Sequence, residues 1–480
     1  MELLANGRVT LHCGDSREKL SLIADNSIDS VVTDPPYALV SISKRFGKAG
    51  AAPAKHGKDG AYKRASAGKR ASAGFMGCQW DNGETAFAPE FWEQVLRVLK
   101  PGGHLLAFSG TRTYHRMACA IEDAGFEIRD QIAWMYGSGF PKSHDVSKGI
   151  DKRLGAEREV IGLNPTYRKD QKNAPSFTLQ RNPNLTAPGS DLAAQWSGWG
   201  TALKPALEPI CMARKPLSEK TVADNVLEHG TGAINIDGCR VESELPEGRK
   251  RHGGGVPGNG TSYELPDSNG ALPSGRWPAN VIHDGSDDVV EAFPETAPSN
   301  VGDHAGGCKF FMGGDKRNEA LSGFGDSGSA ARFFKTCNGR DGEASADKRY
   351  TDETGFAMLP GARRDGVPPS RIFYTAKAGA DDRLGSKHPT VKPLDLMQYL
   401  CRLVTPKGGT VLDPFAGTGT TGEAAFREGF NAVLIERETE YQADIRRRMG
   451  LVLGGPEERR NASIKAKGLV EDVGPLFGGL

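Results

Sequence analysis

The 480-residue chain reads as an α/β protein with a doubly wound, mostly parallel sheet interrupted by a large loop-rich insertion. Three observations predict this. At both ends of the chain, short apolar β-branched runs alternate with segments of helical spacing. A glycine-rich turn follows one of those strands and opens a helix. Between the two ends the alternation is lost, and Gly, Pro, Ser and Asn fill the sequence.

Residues 1–145 form the first α/β part. Val31-Val32 marks a buried strand. Phe91, Val95 and Leu99, spaced four apart, predict a helix over Phe87–Leu99, with Pro89 in its first turn. Pro101-Gly102-Gly103 should stop it, and His104–Phe108 reads as the next strand. A helix over Tyr114–Ala124 closes at Gly125, and Glu127–Tyr136 reads as a strand. Residues 146–370 are the insertion, with short elements and no internal repeat. Residues 371–450 return to α/β texture. Leu394–Leu403 is helix-like, Thr410–Leu412 a strand, Thr420–Glu428 a helix, Ala432–Ile435 a strand and Thr439–Met449 a helix. Residues 451–480 are expected to be a flexible tail.

Composition narrows the function. The net charge of +1 requires any nucleic-acid surface to be a local patch. No apolar run approaches the ~18 residues of a membrane helix, and Met1–Asn6 lacks the basic and apolar segments of a signal peptide. Eight cysteines without a CxxC pair argue against a disulfide framework or a zinc pair, so a reducing cytoplasm is the expected location. The histidines have no ligand spacing, and no metal is expected.

Two segments carry chemistry. The first runs from Thr410 to Gly422 as strand, glycine turn and helix start. Gly417, Gly419 and Gly422 match G-x-G-x-x-G, and glycines let a backbone approach a ligand closely. Glu436 ends the following strand, where an acid can bind both ribose hydroxyls. A nucleoside-containing cofactor is the expectation. The second is Asp34-Pro35-Pro36-Tyr37, which leaves a strand. The prolines stiffen the turn and have no N–H, so their carbonyls are free to accept. With the Asp34 carboxylate and the flat face of Tyr37, the turn suits a planar ring bearing an exocyclic amine.

Asp34-Pro35-Pro36-Tyr37 resembles the D-P-P-Y motif of amino-methyltransferases. The run from Asp413, Pro414 and Phe415 through Gly417, Gly419 and Thr420 resembles their S-adenosylmethionine loop. His388-Pro389-Thr390-Val391-Lys392-Pro393 is similar to the H-P-T-x-K-P element of β-class DNA methyltransferases, and Cys13-Gly14-Asp15 resembles their opening segment. The motif order is the β-class circular order. The resemblance covers about residues 1–145 and 371–450. It implies a circularly permuted class I S-adenosylmethionine-dependent fold and methylation of adenine N6 in double-stranded DNA, with the base flipped out. Asp34, Pro35, Pro36 and Tyr37 would hold the base. Asp413, Pro414, Phe415, Gly417, Gly419 and Thr420 would form the cofactor loop. Asp15 would meet the cofactor adenine, Glu436 its ribose, and Thr390 and Lys392 its amino-acid end. The resemblance further implies that 146–370 recognises the target, with Trp196, Trp199, Trp277 and Arg276 as base-contact candidates, and it suggests a homodimer. Tryptophans of this kind are more often core.

Three alternatives stay open. Cytosine N4 is the nearest, although Asp34, where the family often has Ser, favours adenine. A nicotinamide oxidoreductase could use the glycine turn and Glu436 but leaves the D-P-P-Y turn unexplained. A DNA-binding protein with a dead pocket conflicts with intact Asp34, Tyr37 and Gly417.

Residues 41–74 carry nine Lys and Arg (Lys44, Arg45, Lys48, Lys55, Lys58, Lys63, Arg64, Lys69 and Arg70) against Asp59. This run follows the base-holding turn, where phosphate contact is expected. Reversing the charge of several of these lysines should weaken DNA binding and flatten its salt dependence, by roughly one unit of log–log slope per lost contact. Binding that is unchanged across a salt titration would count against the assignment.

Overall fold

The computed structural model describes residues 1–37, 85–137, 143–163, 184–241, 275–296, 328–337, 350–351, 357–358, 380–386, 388 and 390–466. The basic run at 41–74 lies outside these residues. The chain divides into two compact units, one of residues 1–39, 80–138 and 207–480, the other of residues 40–79 and 139–206.

The first unit is built on ten strands. In chain order these are β1 (Glu2–Leu4), β2 (Val9–Cys13), β3 (Ile28–Thr33), β4 (Leu99–Phe108), β5 (Glu127–Met135), β6 (Leu207–Arg214), β7 (Val281–His283), β8 (Lys335–Thr336), β9 (Thr410–Asp413) and β10 (Asn431–Glu436). Their spatial order is β1-β2-β10-β9-β3-β4-β6-β5-β7-β8. From β2 to β4 every pairing is parallel. β6 runs antiparallel to both β4 and β5.

Adjacent residues of the central strands point to opposite faces, and both faces are covered. Val32, Leu106, Val411 and Leu434 face one core with helices α4 (Leu394–Val404), α5 (Thr420–Arg427) and the start of α6 (Thr439–Ala466). Val31, Leu105, Leu412 and Ile435 face the other with α2 (Pro89–Val98) and α3 (Tyr114–Asp123). A short helix α1 (Ser16–Lys19) follows β2. The chain winds from β9 through α5 to β10 on one side and from β3 through α2 to β4 on the other. The winding therefore reverses between β9 and β3, and the doubly wound α/β class read from the sequence is the one observed.

Several expected boundaries move. Leu99–Phe108 is one strand, and Pro101-Gly102-Gly103 lies inside it. The β3–β4 register jumps from Ile28↔Leu99 to Ser30↔His104, so the extra residues form a bulge, with Gly102 at φ 78°. The span 146–370 is not wholly separate from the α/β sheet, because β6, β7 and β8 come from it. In β6 the run from Pro209 to Arg214 is buried. An antiparallel strand needs no crossover helix, so β6 lacks the alternation that marked the others. The tail also begins later than expected: α6 continues to Ala466 through Gly454-Gly455-Pro456, residues that usually end a helix. Residues 467–480 lie outside the described residues.

The second unit contains a helix over Val146–Leu154, capped by Asp145 and ended by Gly155 at φ 70°. A hairpin pairs Val160–Leu163 with Asn184–Thr186, and a one-turn helix covers Asp191–Gln195. Asp151 is buried and binds Arg158, the Gly189 N–H and the Ser190 hydroxyl. Trp196 and Trp199 pack edge to face, 5.1 Å apart, and both are exposed. Among the described residues, no helix is long and apolar enough to cross a membrane.

α2 anchors one face of the sheet through buried Phe91, Trp92, Val95 and Val98. The Trp92 indole also donates to the Ala86 carbonyl at 2.9 Å. Trp92→Ala should cost about 3–5 kcal/mol, measured as a lower midpoint of chemical unfolding.

Candidate active site

β9 and β3 pair in parallel, with Val411 opposite Ser30 and Leu412 opposite Val31. Their carboxyl ends are joined by side chains: the Thr33 hydroxyl donates to Asp413 Oδ1 at 2.7 Å. The other Asp413 oxygen accepts from the Thr421 hydroxyl at 2.6 Å, and Oδ1 also accepts the Phe415 N–H at 3.0 Å. One buried carboxylate thus fastens the glycine loop, the first turn of α5 and β3 together. Burial lifts its pKa to about 6, against the pull of the two hydroxyls and the amide.

The loop after β9 turns on glycines. Gly417 and Gly419 have φ of 53° and 78°, a left-handed region that disfavours side chains. A Cβ on Gly419 would lie 3.0 Å from Ile445, and one on Gly417 would lie 3.3 Å from the His388 ring. The loop is braced from behind by buried Arg448, which donates to the Thr418 carbonyl at 2.9 Å and to Glu423 at 2.7 Å. Glu436, at the end of β10, accepts the Gly417 N–H at 2.8 Å on one oxygen and the Glu438 N–H at 2.7 Å on the other. Burial raises its pKa to about 7. Each carboxylate oxygen keeps acceptor capacity, so Glu436 can still take hydroxyl donors.

Asp15 lies beside this loop. The Gly14 N–H donates to the Glu436 carbonyl at 2.9 Å, and Cys13 is the register partner of Glu436. Asp15 caps α1 and binds the Arg17 guanidinium, which holds its carboxyl below the usual range. Pro414 and Thr420 are buried, and the Phe415 ring packs 5.1 Å from Phe91. Thr390 is exposed, and its N–H donates to His388 Nδ1 at 3.2 Å. His388 packs edge to face against Tyr441, with ring centres 4.3 Å apart, and burial drives its pKa down to about 4.

The Asp34-Pro35-Pro36-Tyr37 turn leaves β3 at the same rim. Pro35 is buried, and Asp34, Pro36 and Tyr37 are half-buried. Thr113 holds the turn by donating to the Tyr37 carbonyl at 2.9 Å. Asp34 Oδ2 accepts from Lys392 Nζ at 2.6 Å. Asp34 Oδ1 is buried with no partner among the described residues. The Lys392 ammonium also donates to the Tyr37 hydroxyl at 3.1 Å and lies 3.3 Å from Glu208 Oε2. Tyr37 in turn donates to Glu208 at 3.2 Å. The Lys392 ammonium sits 4.7 Å from the Phe108 ring centre and 5.3 Å from that of Tyr37. Trp134 and Tyr136 extend the aromatic lining next to Phe108. Burial lifts the Asp34 carboxyl above its usual range, against the pull of Lys392 and with Glu208 adding to the rise. Burial also pulls the Lys392 ammonium down, but the Asp34 and Glu208 carboxylates outweigh it, so its pKa ends above that of a free lysine.

The two motifs therefore meet at one rim, as the circular motif order requires. Gly417, Gly419, Glu436 and Asp15 gather at the ends of β9, β10 and β2, while the ammonium of Lys392 is bonded at the Asp34 turn. Sequence reasoning gave Glu208 no role. The only signal would have been to read Leu207–Arg214 as a strand with an acid at its first turn-proximal position. Trp277 is exposed beneath Arg240, so none of Trp196, Trp199 and Trp277 is core. Among the described residues, no cluster of three or more His, Cys, Asp or Glu is placed to hold a metal ion.

The family model described as DNA methylase (N6_N4_Mtase) matches residues 28–447. The type II methyltransferase M.HindIII of Haemophilus influenzae is 24% identical over 234 residues, 47% of this chain and 64% of that protein. The type II methyltransferase M2.DpnII of Streptococcus pneumoniae is 40% identical over 85 residues, 18% of this chain and 32% of its own. The chain thus spans under two thirds of the length of these relatives. Among solved structures, the M1.HpyAVI–SAM complex aligns with 92% of this chain and 100% of its own at 13% identity and a TM-score of 0.33. The cytosine-N4-specific PvuII DNA methyltransferase aligns with 97% and 95% at 13% identity and a TM-score of 0.39. Alignments with such scores do not bear on the choice of substrate.

Glu436 sets a pH signature. Its folded pKa of about 7 exceeds the ordinary 4.5, so the folded state holds the proton more tightly. Above pH 7 the buried charge opposes folding, and below 4.5 it contributes nothing. Glu436→Gln in the ligand-free protein should therefore gain stability relative to wild type as pH rises through this window. The gain should level off at up to ~3 kcal/mol, read by chemical unfolding at acid and mildly alkaline pH. A difference that is independent of pH would refute the buried, proton-sharing Glu436.

Proposed function

Because this chain belongs to the DNA methylase family, we propose that it transfers a methyl group from S-adenosylmethionine to the exocyclic amine of an everted adenine in double-stranded DNA. One observation carries the proposal. The parallel pairing of β3 with β9 puts a carboxylate with an unpartnered buried oxygen, on Asp34, at the same rim as the glycine loop and Glu436. The family assignment removes the nicotinamide oxidoreductase alternative.

Asp34, Pro35, Pro36 and Tyr37 are the catalytic group in this proposal. The amine nitrogen of a nucleobase is a poor nucleophile because its lone pair is delocalised into the ring. Asp34 Oδ1 and the Pro35 carbonyl accept the two amine hydrogens, which favours a more tetrahedral nitrogen with its lone pair directed at the methyl. Tyr37 supplies the stacking face. As the N–C bond forms, the nitrogen gains positive charge and must lose a proton. Asp34, whose burial favours its protonated form, is placed to accept it. Eversion costs the base a few kcal/mol of stacking, and positioning of the reactants offsets this.

The cofactor fits the glycine loop, where Gly417 and Gly419 leave no space that a Cβ could take without strain. When bound, S-adenosylmethionine supplies an electrophilic methyl on a positive sulfur, which leaves as a neutral thioether. Glu436 would receive the ribose hydroxyls, Asp15 the adenine, and Thr390 would lie toward the amino-acid end, whereas the Lys392 ammonium is bonded at the Asp34 turn. Asp413, Pro414, Phe415 and Thr420 shape the loop from beneath. Target recognition falls to those parts of 146–370 outside the ten-stranded sheet, where exposed Trp196, Trp199 and Trp277 offer stacking faces. Asp34 at the first motif position supports adenine over cytosine. A cytoplasmic homodimer acting on duplex DNA completes the proposal.

Methylation-sensitive sequencing of DNA from cells expressing the chain should report N6-methyladenine at one short motif. Asp34→Ala should cut that transfer by about a hundredfold or more while S-adenosylmethionine binding, followed by calorimetry, persists. N4-methylcytosine would overturn the choice of base. A folded protein that leaves DNA unmodified, or an Asp34→Ala variant with full activity, would overturn the mechanism.

A further inference from the structure

The base-holding turn already carries a nitrogen on its carboxylate. Lys392 Nζ donates to Asp34 Oδ2 at 2.6 Å and lies over the Phe108 and Tyr37 rings. An ammonium and a nucleobase seek the same aromatic faces, so a base that bonds the free Asp34 Oδ1 and stacks on Tyr37 competes with Lys392 for that ring. A lysine displaced into this pocket without a counter-ion would be a buried unpaired charge, which is costly.

The structure supplies a second seat. Glu208 Oε2 lies 3.3 Å from Lys392 Nζ, so a short shift of the ammonium exchanges one carboxylate for the other. Glu208 comes from β6, which contributes nothing to the D-P-P-Y turn or the glycine loop. Its carboxylate is held from two sides, by the Tyr37 hydroxyl at 3.2 Å and the Tyr136 hydroxyl at 3.5 Å. The charged and titratable groups facing Lys392 are Asp34 and Tyr37 after β3 and Glu208 on β6, with Tyr136 after β5 behind Glu208.

Building on the methyl-transfer proposal, we propose that Glu208 is a positioning residue: it takes over the Lys392 ammonium when the base occupies the Tyr37 face beside Asp34, and it holds Tyr37 in its stacking pose meanwhile. Before the base arrives, Lys392 pairs with Asp34 Oδ2 and lies over the Tyr37 ring. When the base arrives, the ammonium moves toward Glu208 and is not stranded without a counter-ion. The two carboxylates together keep Lys392 protonated, so the exchange moves an ion and no proton.

The test is a double-variant cycle in the full-length chain. Glu208→Gln alone should lower kcat/KM for unmethylated DNA by about tenfold or more, because Lys392 then has no second carboxylate and stays over the Tyr37 ring. In a Lys392→Met background, the same change should cost less than about threefold, since no ammonium needs a seat. Equal losses in both backgrounds would indicate a merely structural Glu208 and overturn the proposal. A second measurement does not depend on methyl transfer. Competitive acetylation with acetic anhydride, followed by mass spectrometry of the Lys392 peptide, reads the ammonium directly. Glu208→Gln should raise Lys392 reactivity at a given pH by about tenfold, equivalent to one pKa unit, and Glu208→Asp should restore part of the protection. Unchanged reactivity in a folded Glu208→Gln variant would also overturn the proposal. If wild type transfers no methyl to DNA, the methyl-transfer proposal fails, and the acetylation result still decides whether Glu208 and Lys392 act as a pair.

Discussion

The hydrogen bond from Thr33 to Asp413 closes the seam on which the molecule depends. It joins residues 380 apart in sequence at the point where the sheet reverses its winding. Each partner belongs to a strand that is central and buried on both faces, so neither strand has a place outside the complete sheet. The seam also fixes the relation of the two chemical elements. The Asp34-Pro35-Pro36-Tyr37 turn begins one residue after Thr33, and the glycine loop begins at Asp413. A shift of register by one residue would reverse the facing of every side chain in the strand, exchanging Val411 with Leu412 between the two cores and turning Asp413 away from Thr33.

The site is costly to fold, and the surrounding contacts show how the cost is met. Asp413 and Glu436 are carboxylates with almost no exposure to water. Each is satisfied by donors that also shape the backbone: Thr33, Thr421 and the Phe415 amide for one, the Gly417 and Glu438 amides for the other. The donors that stabilise the acids are therefore the same groups that fix the path of the loop. Arg448 does the equivalent work from the back of the loop. Around Asp34 the balance is incomplete: one oxygen is paired with Lys392 and the other has no partner among the described residues. A fully satisfied Asp34 would be more stable and would have nothing to offer a substrate.

Much of this was legible in the sequence, because the main signals are local. Phe91 and Val95 mark α2 by their spacing. Val31-Val32 marks β3, and the glycines after Asp413 mark a turn that few other residues could make. What the sequence concealed was non-local. Glu208 lies 171 residues from Tyr37, and no short-range pattern ties the two. The strand that carries Glu208 is antiparallel to both of its neighbours, so it breaks the strand–helix–strand order of the parallel part of the sheet. The destination of Lys392 was hidden for a similar reason. Its motif placed it near the cofactor loop, but a long flexible side chain goes to the nearest buried carboxylates, and those are known only once the sheet is assembled. The bulge at Pro101-Gly102-Gly103 misled in the other direction, since residues that usually end an element here lie within one.

The late arrival of β9 also bears on how the protein is made. The ribosome adds about 5–20 residues per second, so β3 emerges tens of seconds before its neighbour exists. For that interval an apolar strand waits with one hydrogen-bonding edge unpaired, the kind of edge that recruits other chains. Its partner on the other side, β4, and the overlying α2 are already available from the same stretch of chain and can shield one face. A nascent chain that stops short of residue 410 lacks the glycine loop and the strand that seats it altogether.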